Sequence, residues 1–119
     1  MIKGIGIDIV ELDRIEKNMK ERERFSDRIL TKAEKDRYFK LTNTRRRIEF
    51  LAGRFAAKEA CAKALGTGIG RLSFQHIEVL NDANGAPALH VTGYEDYSFM
   101  LSISHSRDYA VAQVLIQKI

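Results

Sequence analysis

The chain has 119 residues, 45% hydrophobic and 30% charged, with a formal net charge of +4. That length accommodates one compact domain, residues 1–119, and leaves no room for a second full core. A single cysteine, Cys61, excludes an internal disulfide framework and suits a reducing compartment. The longest stretch free of Asp, Glu, Lys and Arg runs only from Ala83 to Tyr94, too short and polar to span a bilayer. The opening MIKGIGIDIV reads as a strand rather than a secretory signal, so a cytoplasmic location without membrane attachment is expected. Charge is distributed unevenly: Arg14 to Arg47 hold thirteen basic and six acidic residues, and the remainder is mildly acidic. Such asymmetry favours an anionic partner: nucleic acid, acidic lipid or an acidic protein.

In chain order, residues 2–10 alternate with period two. Ile5, Ile7 and Ile9 point one way and Gly4, Gly6, Asp8 and Val10 the other, which predicts a strand. Leu12, Ile15 and Met19 recur at helical spacing, so residues 12–24 are expected to form a short basic helix with Asp13 available as its N-cap. Ser26 to Leu30 reads as irregular. Thr31-Lys32-Ala33-Glu34 has capping-box spacing and opens a helix to about Leu41. After an interruption at Thr42, Asn43 and Thr44, an alanine-rich helix follows from about Arg45 to Leu65. Gly66, Gly68 and Gly70 end it. Strands are predicted at Phe74–Leu80, Ala88–Thr92, Phe99–Ser104 and Tyr109–Gln117, the first two joined by a turn with an Asn84-Gly85 signal. A strand, then helices, then an antiparallel meander describe an α+β domain.

Few positions have side chains suited to chemistry. Asp8 lies inside an apolar strand, where a carboxylate needs solvent, a hydrogen-bond partner or a cation. Phe55, Glu59 and Lys63 share one helix face, and Glu59–Lys63 is the spacing of an ordinary stabilising pair. The Gly66–Gly70 loop lacks the Lys-Ser/Thr of a phosphate-binding loop. Ser102, Ser104, His105 and Ser106 invite a hydrolase reading, but no G-x-S-x-G elbow is present. One cysteine and three dispersed histidines show no zinc spacing. What remains is a pair of hard oxygen donors, Asp8 and Glu59, suited to Mg²⁺ if phosphate and water complete its shell.

Three blocks together resemble the holo-acyl-carrier-protein synthases, the short class of phosphopantetheinyl transferases. They are Gly4-Ile5-Gly6-Ile7-Asp8, the run from Phe50 through Phe55, Lys58, Glu59, Ala60 and Lys63 to Gly66, and Ser102-Ile103-Ser104-His105. The resemblance covers nearly the whole chain. It implies a long central helix packed on a mostly antiparallel sheet, and a homotrimer with active sites between subunits. The substrate would be coenzyme A, and the acceptor a serine of apo acyl carrier protein for fatty acid biosynthesis, with 3′,5′-ADP released. Asp8 and Glu59 would hold Mg²⁺ with the CoA diphosphate, and Lys63 would supply an ammonium to the transferring group. Ser104 and His105 resemble phosphate contacts, and Asn84, Gly85 and Pro87 the nucleotide-contact turn. Arg14, Arg22, Arg24 and Arg28, with Phe25 as apolar anchor, would dock the acidic carrier. Arg54 and Lys58 are assigned either to CoA phosphates or to surface pairs.

The competing reading is a nucleic-acid-binding module built on the basic segment and the run Arg45-Arg46-Arg47. Only 8% of residues are aromatic and no stacking platform is evident, and such a module would leave Asp8 and Glu59 unexplained. No nucleic-acid partner is therefore expected.

Overall fold

The computed structural model describes all 119 residues. Strand β1 (Ile2–Glu11) leads into three short helices, α1 (Leu12–Glu21), α2 (Phe25–Ile29) and α3 (Lys32–Lys40), and then into the long helix α4 (Thr44–Leu65). A 3₁₀ turn (Phe74–His76) precedes β2 (Ile77–Asn81), β3 (Pro87–Val91), β4 (Tyr97–His105) and β5 (Tyr109–Lys118). The α+β architecture matches the sequence expectation, but the strands do not form one meander. They divide into a three-stranded antiparallel sheet in the order β1-β5-β4 and a separate β2-β3 hairpin.

Several local expectations hold and others need correction. Thr31 and Glu34 form the full capping box of α3. Asn43 caps α4 by accepting from the Arg46 amide, and Gly66 closes that helix with φ +76°, a conformation that favours glycine. Asp13, by contrast, is not an N-cap: Glu11 occupies that position and Asp13 lies in the first turn. Residues expected to be irregular form α2. The strand expected from Phe74 begins only at Ile77, because Phe74–His76 is wound into the 3₁₀ turn with Ser73 and His76 bonded to each other.

The packing of α4 on the three-stranded sheet positions the site. Its buried face is largely alanine (Ala52, Ala56, Ala57, Ala60) with Leu51 and Cys61, opposed by Ala110, Ala112, Val114 and Ile116 of β5. Small residues on both sides let the backbones come close. The approach is tightest at β1: a methyl group on Gly6 would collide with the Ala60 carbonyl, and one on Gly4 with that of Ala64. Consequently the glycine and aspartate side of β1 faces the helix, and the isoleucine side faces outward. Ile5, Ile7 and Ile9 are each about 60% exposed. Met100 and Tyr109 extend this apolar outer face onto β4 and β5. No helix is long and apolar enough to cross a membrane.

Candidate active site

Asp8 follows Gly6 on β1, on the side turned toward the last turns of α4. The Lys63 ammonium reaches down from that helix and donates to Asp8 Oδ1 at 3.0 Å and to the Ile7 carbonyl at 3.1 Å. The partner of Lys63 is therefore a carboxylate 55 positions away in the chain, rather than Glu59 one turn earlier on its own helix. Glu59 is half-buried beside this pair. Partial burial raises its carboxyl above the usual range, and the negative charge of Asp8 pushes in the same direction, while Lys63 and Arg14 pull it back. Two carboxylates and one ammonium thus share a small space.

Glu59 also opens on a cleft of about 480 Å³. Its walls are Arg14, Ile15 and Asn18 of α1, Arg22 beyond that helix, Phe25, Arg28 and Ile29 of α2, and Phe55, Ile69 and Phe74. A second hollow of about 470 Å³, sharing Arg22, Phe25 and Arg28 with the first, is lined also by Arg24 and Asp27. The five positions assigned to carrier docking are therefore contiguous, and α2 is the ridge between two basic depressions. Three arginines and one carboxylate around an open cleft favour an anionic ligand at the rim.

Other candidate residues lie apart. Asn84 and Gly85 form the exposed turn of the β2-β3 hairpin, with Pro87 opening β3. Asp82 Oδ1 accepts from the Asn84 and Ala86 amides, and Asn81 Nδ2 donates to the Gly85 carbonyl. His105 ends β4, with Nε2 2.9 Å from the Glu49 carbonyl near the start of α4. Glu49 precedes Glu59 by ten residues, about 15 Å along a helix. Ser104 pairs with Val111 on the outer face of the sheet. No hydrogen bond or ion pair joins Asn84, Gly85, Pro87, Ser104 or His105 to the Asp8–Glu59–Lys63 group within the chain.

Arg54 and Lys58 separate clearly. Arg54 stacks on the Phe50 ring at 4.1 Å and donates to Asn81 Oδ1 at 3.1 Å, linking α4 to the hairpin. Burial lowers its guanidinium to about 10, so it stays charged at neutral pH, and its Nε is buried without a partner. Lys58 is no surface residue: it is fully buried and donates to Glu34 Oε1 at 2.6 Å, the Ile29 carbonyl at 2.7 Å and the Phe74 carbonyl at 3.0 Å. Glu34 also accepts from the Thr31 and Val79 amides, so this buried pair is well satisfied. Gln75, to which sequence reasoning assigned nothing, bonds three carbonyls of the α2 segment. In the Arg45–Arg47 run, Arg45 is engaged by Glu49 and the Arg107 carbonyl. Arg47 bonds the Leu41 and Phe39 carbonyls and stacks over Tyr38.

The chain as a whole is similar to known proteins. Residues 4–114 match the family model described as the 4′-phosphopantetheinyl transferase superfamily. The holo-[acyl-carrier-protein] synthase of Geobacillus sp. (strain WCH70) is 58% identical, covering 100% of this chain and 99% of that protein. The protein of that name from Bacillus subtilis (strain 168) is 52% identical over 100% of this chain and 98% of its own. Among solved structures, the Bacillus anthracis holo-(acyl-carrier-protein) synthase in complex with CoA (3′,5′-ADP) superimposes with a TM-score of 0.91. It is 51% identical, covering 100% of this chain and 99% of that one. The Neisseria meningitidis holo-[acyl-carrier-protein] synthase gives a TM-score of 0.87 at 39% identity, covering 99% and 100% respectively.

Proposed function

The chain belongs to the 4′-phosphopantetheinyl transferase superfamily, and on that premise we propose that it moves the phosphopantetheine arm of coenzyme A onto a serine of apo acyl carrier protein. The products are holo carrier protein, for fatty acid biosynthesis, and 3′,5′-ADP. The observation that carries this reading is the meeting of Asp8, Glu59 and Lys63 beside a cleft rimmed by Arg14, Arg22 and Arg28.

The donor set suits Mg²⁺. Asp8 and Glu59 are close enough for one charge to raise the other's pKa, and no third carboxylate, histidine or cysteine joins them. Two hard oxygen donors with no further protein ligand match a cation completed by diphosphate oxygens and water. When bound, the ion supplies Lewis-acid stabilisation of charge on the diphosphate. Lys63 places an ammonium where it can neutralise charge developing on the transferred group, the larger part of phosphoryl-transfer catalysis. The serine oxygen forms its bond to the pantetheine-bearing phosphorus as the bond to 3′,5′-ADP breaks. The serine proton passes to Glu59 or to a water at the site.

Carrier proteins of this kind are acidic. Arg14, Arg22, Arg24 and Arg28 would speed and orient their approach, with Phe25 as the apolar contact. Asn84, Gly85, Pro87, Ser104 and His105 are assigned to coenzyme A. Their separation from Asp8, Glu59 and Lys63 within one chain supports a homotrimer in which one subunit supplies the carboxylates and its neighbour the remaining contacts. The outward row of Ile5, Ile7 and Ile9 supports it too, since an apolar sheet face of this kind marks an association surface. An enzyme of this class works in the cytoplasm.

Mixing subunits tests the shared site. Chains carrying Asp8→Asn and chains carrying His105→Ala should each be inactive alone, and co-refolding them should restore activity through the sites that combine two intact halves. No recovery from mixed trimers would place the site within one subunit.

A further inference from the structure

Helix α2 has five residues, far too few to persist by its own backbone bonds, and Arg24 at its N-cap makes no side-chain capping bond. At its two ends the backbone bonds are Arg28 N to Arg24 O at 3.0 Å and Leu30 N to Ser26 O at 2.9 Å. The carbonyls of residues 27–30 that follow would ordinarily turn to water. Here every one has a side-chain donor from distant chain. Gln75 Nε2 donates to Asp27 O at 3.0 Å, Arg28 O at 3.2 Å and Leu30 O at 2.9 Å. Lys58 Nζ donates to the one between, Ile29 O, at 2.7 Å. The same ammonium holds the Phe74 carbonyl at 3.0 Å, so the turn that carries Gln75 is fixed by the residue that fixes α2.

We infer that Gln75 and Lys58 are positioning residues for the carrier protein, holding α2 so that Arg24, Phe25 and Arg28 are presented in a fixed arrangement. This rests on the reading of α2 as the docking ridge. Gln75 does not line the cleft that holds Glu59; it lines a separate hollow with Asp27, Arg28 and Lys35. Its effect is therefore exerted on the geometry of docking and not on the reacting atoms. A ridge already ordered before the encounter spares the carrier the cost of ordering it. Lys58 adds a direct link, since the residue that anchors α2 is the chain neighbour of Glu59.

Gln75 is exposed, so it is the position to vary. Gln75→Glu keeps the shape and removes both N–H donors, setting a carboxylate against three carbonyls; Lys58 substitutions would disturb the core and are not needed. The KM for apo acyl carrier protein should rise about five- to tenfold, the effect of losing one or two net hydrogen bonds on the fraction of chains with α2 in place. The KM for coenzyme A should stay near wild type, and the melting temperature should fall by only a few degrees. Hydrogen exchange at the Arg28 and Leu30 amides should accelerate. An unchanged carrier KM, or equal rises for both substrates, would overturn the inference. Arg28→Glu is measured alongside. If it raises the carrier KM and Gln75→Glu does not, the positioning role fails while the docking surface stands. If Arg28→Glu also leaves the carrier KM at wild type, the docking reading falls, and this inference with it.

Discussion

Lys63 Nζ is 3.0 Å from Asp8 Oδ1, joining the first strand to the last turn of the long helix through a half-exposed ion pair. Because the ammonium lies beside two carboxylates, removing it does more than break a surface bridge, which alone is worth little. Lys63→Met should lower kcat by about a hundredfold to a thousandfold, the usual effect of losing one donor to a developing oxyanion. Thermal stability should barely change. Steady-state kinetics with a melting curve checks both, and a fully active Lys63→Met enzyme would remove this residue from the mechanism.

The contact between β1 and α4 that makes the pair possible depends on Gly6. An added methyl would meet the Ala60 carbonyl and come within 2.8 Å of the Ala64 amide nitrogen, backbone atoms that cannot swing aside. Gly6→Ala should cost about 3 kcal/mol or more, as overpacking against backbone does. It should also lift Asp8 from Lys63, so that the remaining folded protein loses activity. Denaturant unfolding and kinetics on the same preparation measure the two effects.

Much of this was legible in the sequence because it is local. The Thr31–Glu34 box, the alanine-rich helix and its glycine stop are each written within a few residues. The alternation in β1 was visible as well, but not which side is buried. Ordinary hydrophobic logic would bury Ile5, Ile7 and Ile9. The glycines prevail because only they allow α4 to approach so closely. Helix α2 could not be read from its own five residues, since its carbonyls are satisfied by Gln75 and Lys58, which lie far along the chain. Lys58 was ambiguous for a similar reason: its partner Glu34 lies 24 positions away, and nothing beside a lysine announces a buried acid. The three blocks that suggested the family hold Asp8, Glu59 and Lys63, which the fold brings together. The meeting itself depends on tertiary packing.

The Lys58–Glu34 pair should behave as a coupled unit. Lys58→Met leaves a buried carboxylate without its cation and should destabilise the fold by about 3–5 kcal/mol. Adding Glu34→Gln to it should cost less than the sum of the two single changes, with a coupling of about 1–3 kcal/mol. Urea unfolding of the four proteins closes the cycle. Additive losses would mean the two groups act independently.

Cys61 gives a pH dependence with a definite sign. Burial pushes its thiol up to about 12, from an ordinary value near 9. A folded-state pKa raised in this way contributes stability that is fully present below about pH 9 and is lost as pH rises from there toward 12. Cys61→Ala should therefore be less stable than wild type at pH 7, because it leaves a small void. That gap should close above pH 9, by up to about 1.4 kcal/mol per pH unit. A constant gap from pH 7 to 11 would count against the buried neutral thiol.

Phosphopantetheinyl transfer by the Asp8–Glu59–Lys63 site would be read out by intact-mass analysis of the acceptor. Apo acyl carrier protein is incubated with coenzyme A, Mg²⁺ and the enzyme, beside a chelator control and an Asp8→Asn enzyme. The carrier should gain the mass of one phosphopantetheine arm at its serine, with the gain abolished by chelator and nearly lost with Asp8→Asn. A carrier that stays unmodified here, while an authentic transferase loads the same preparation, would contradict it.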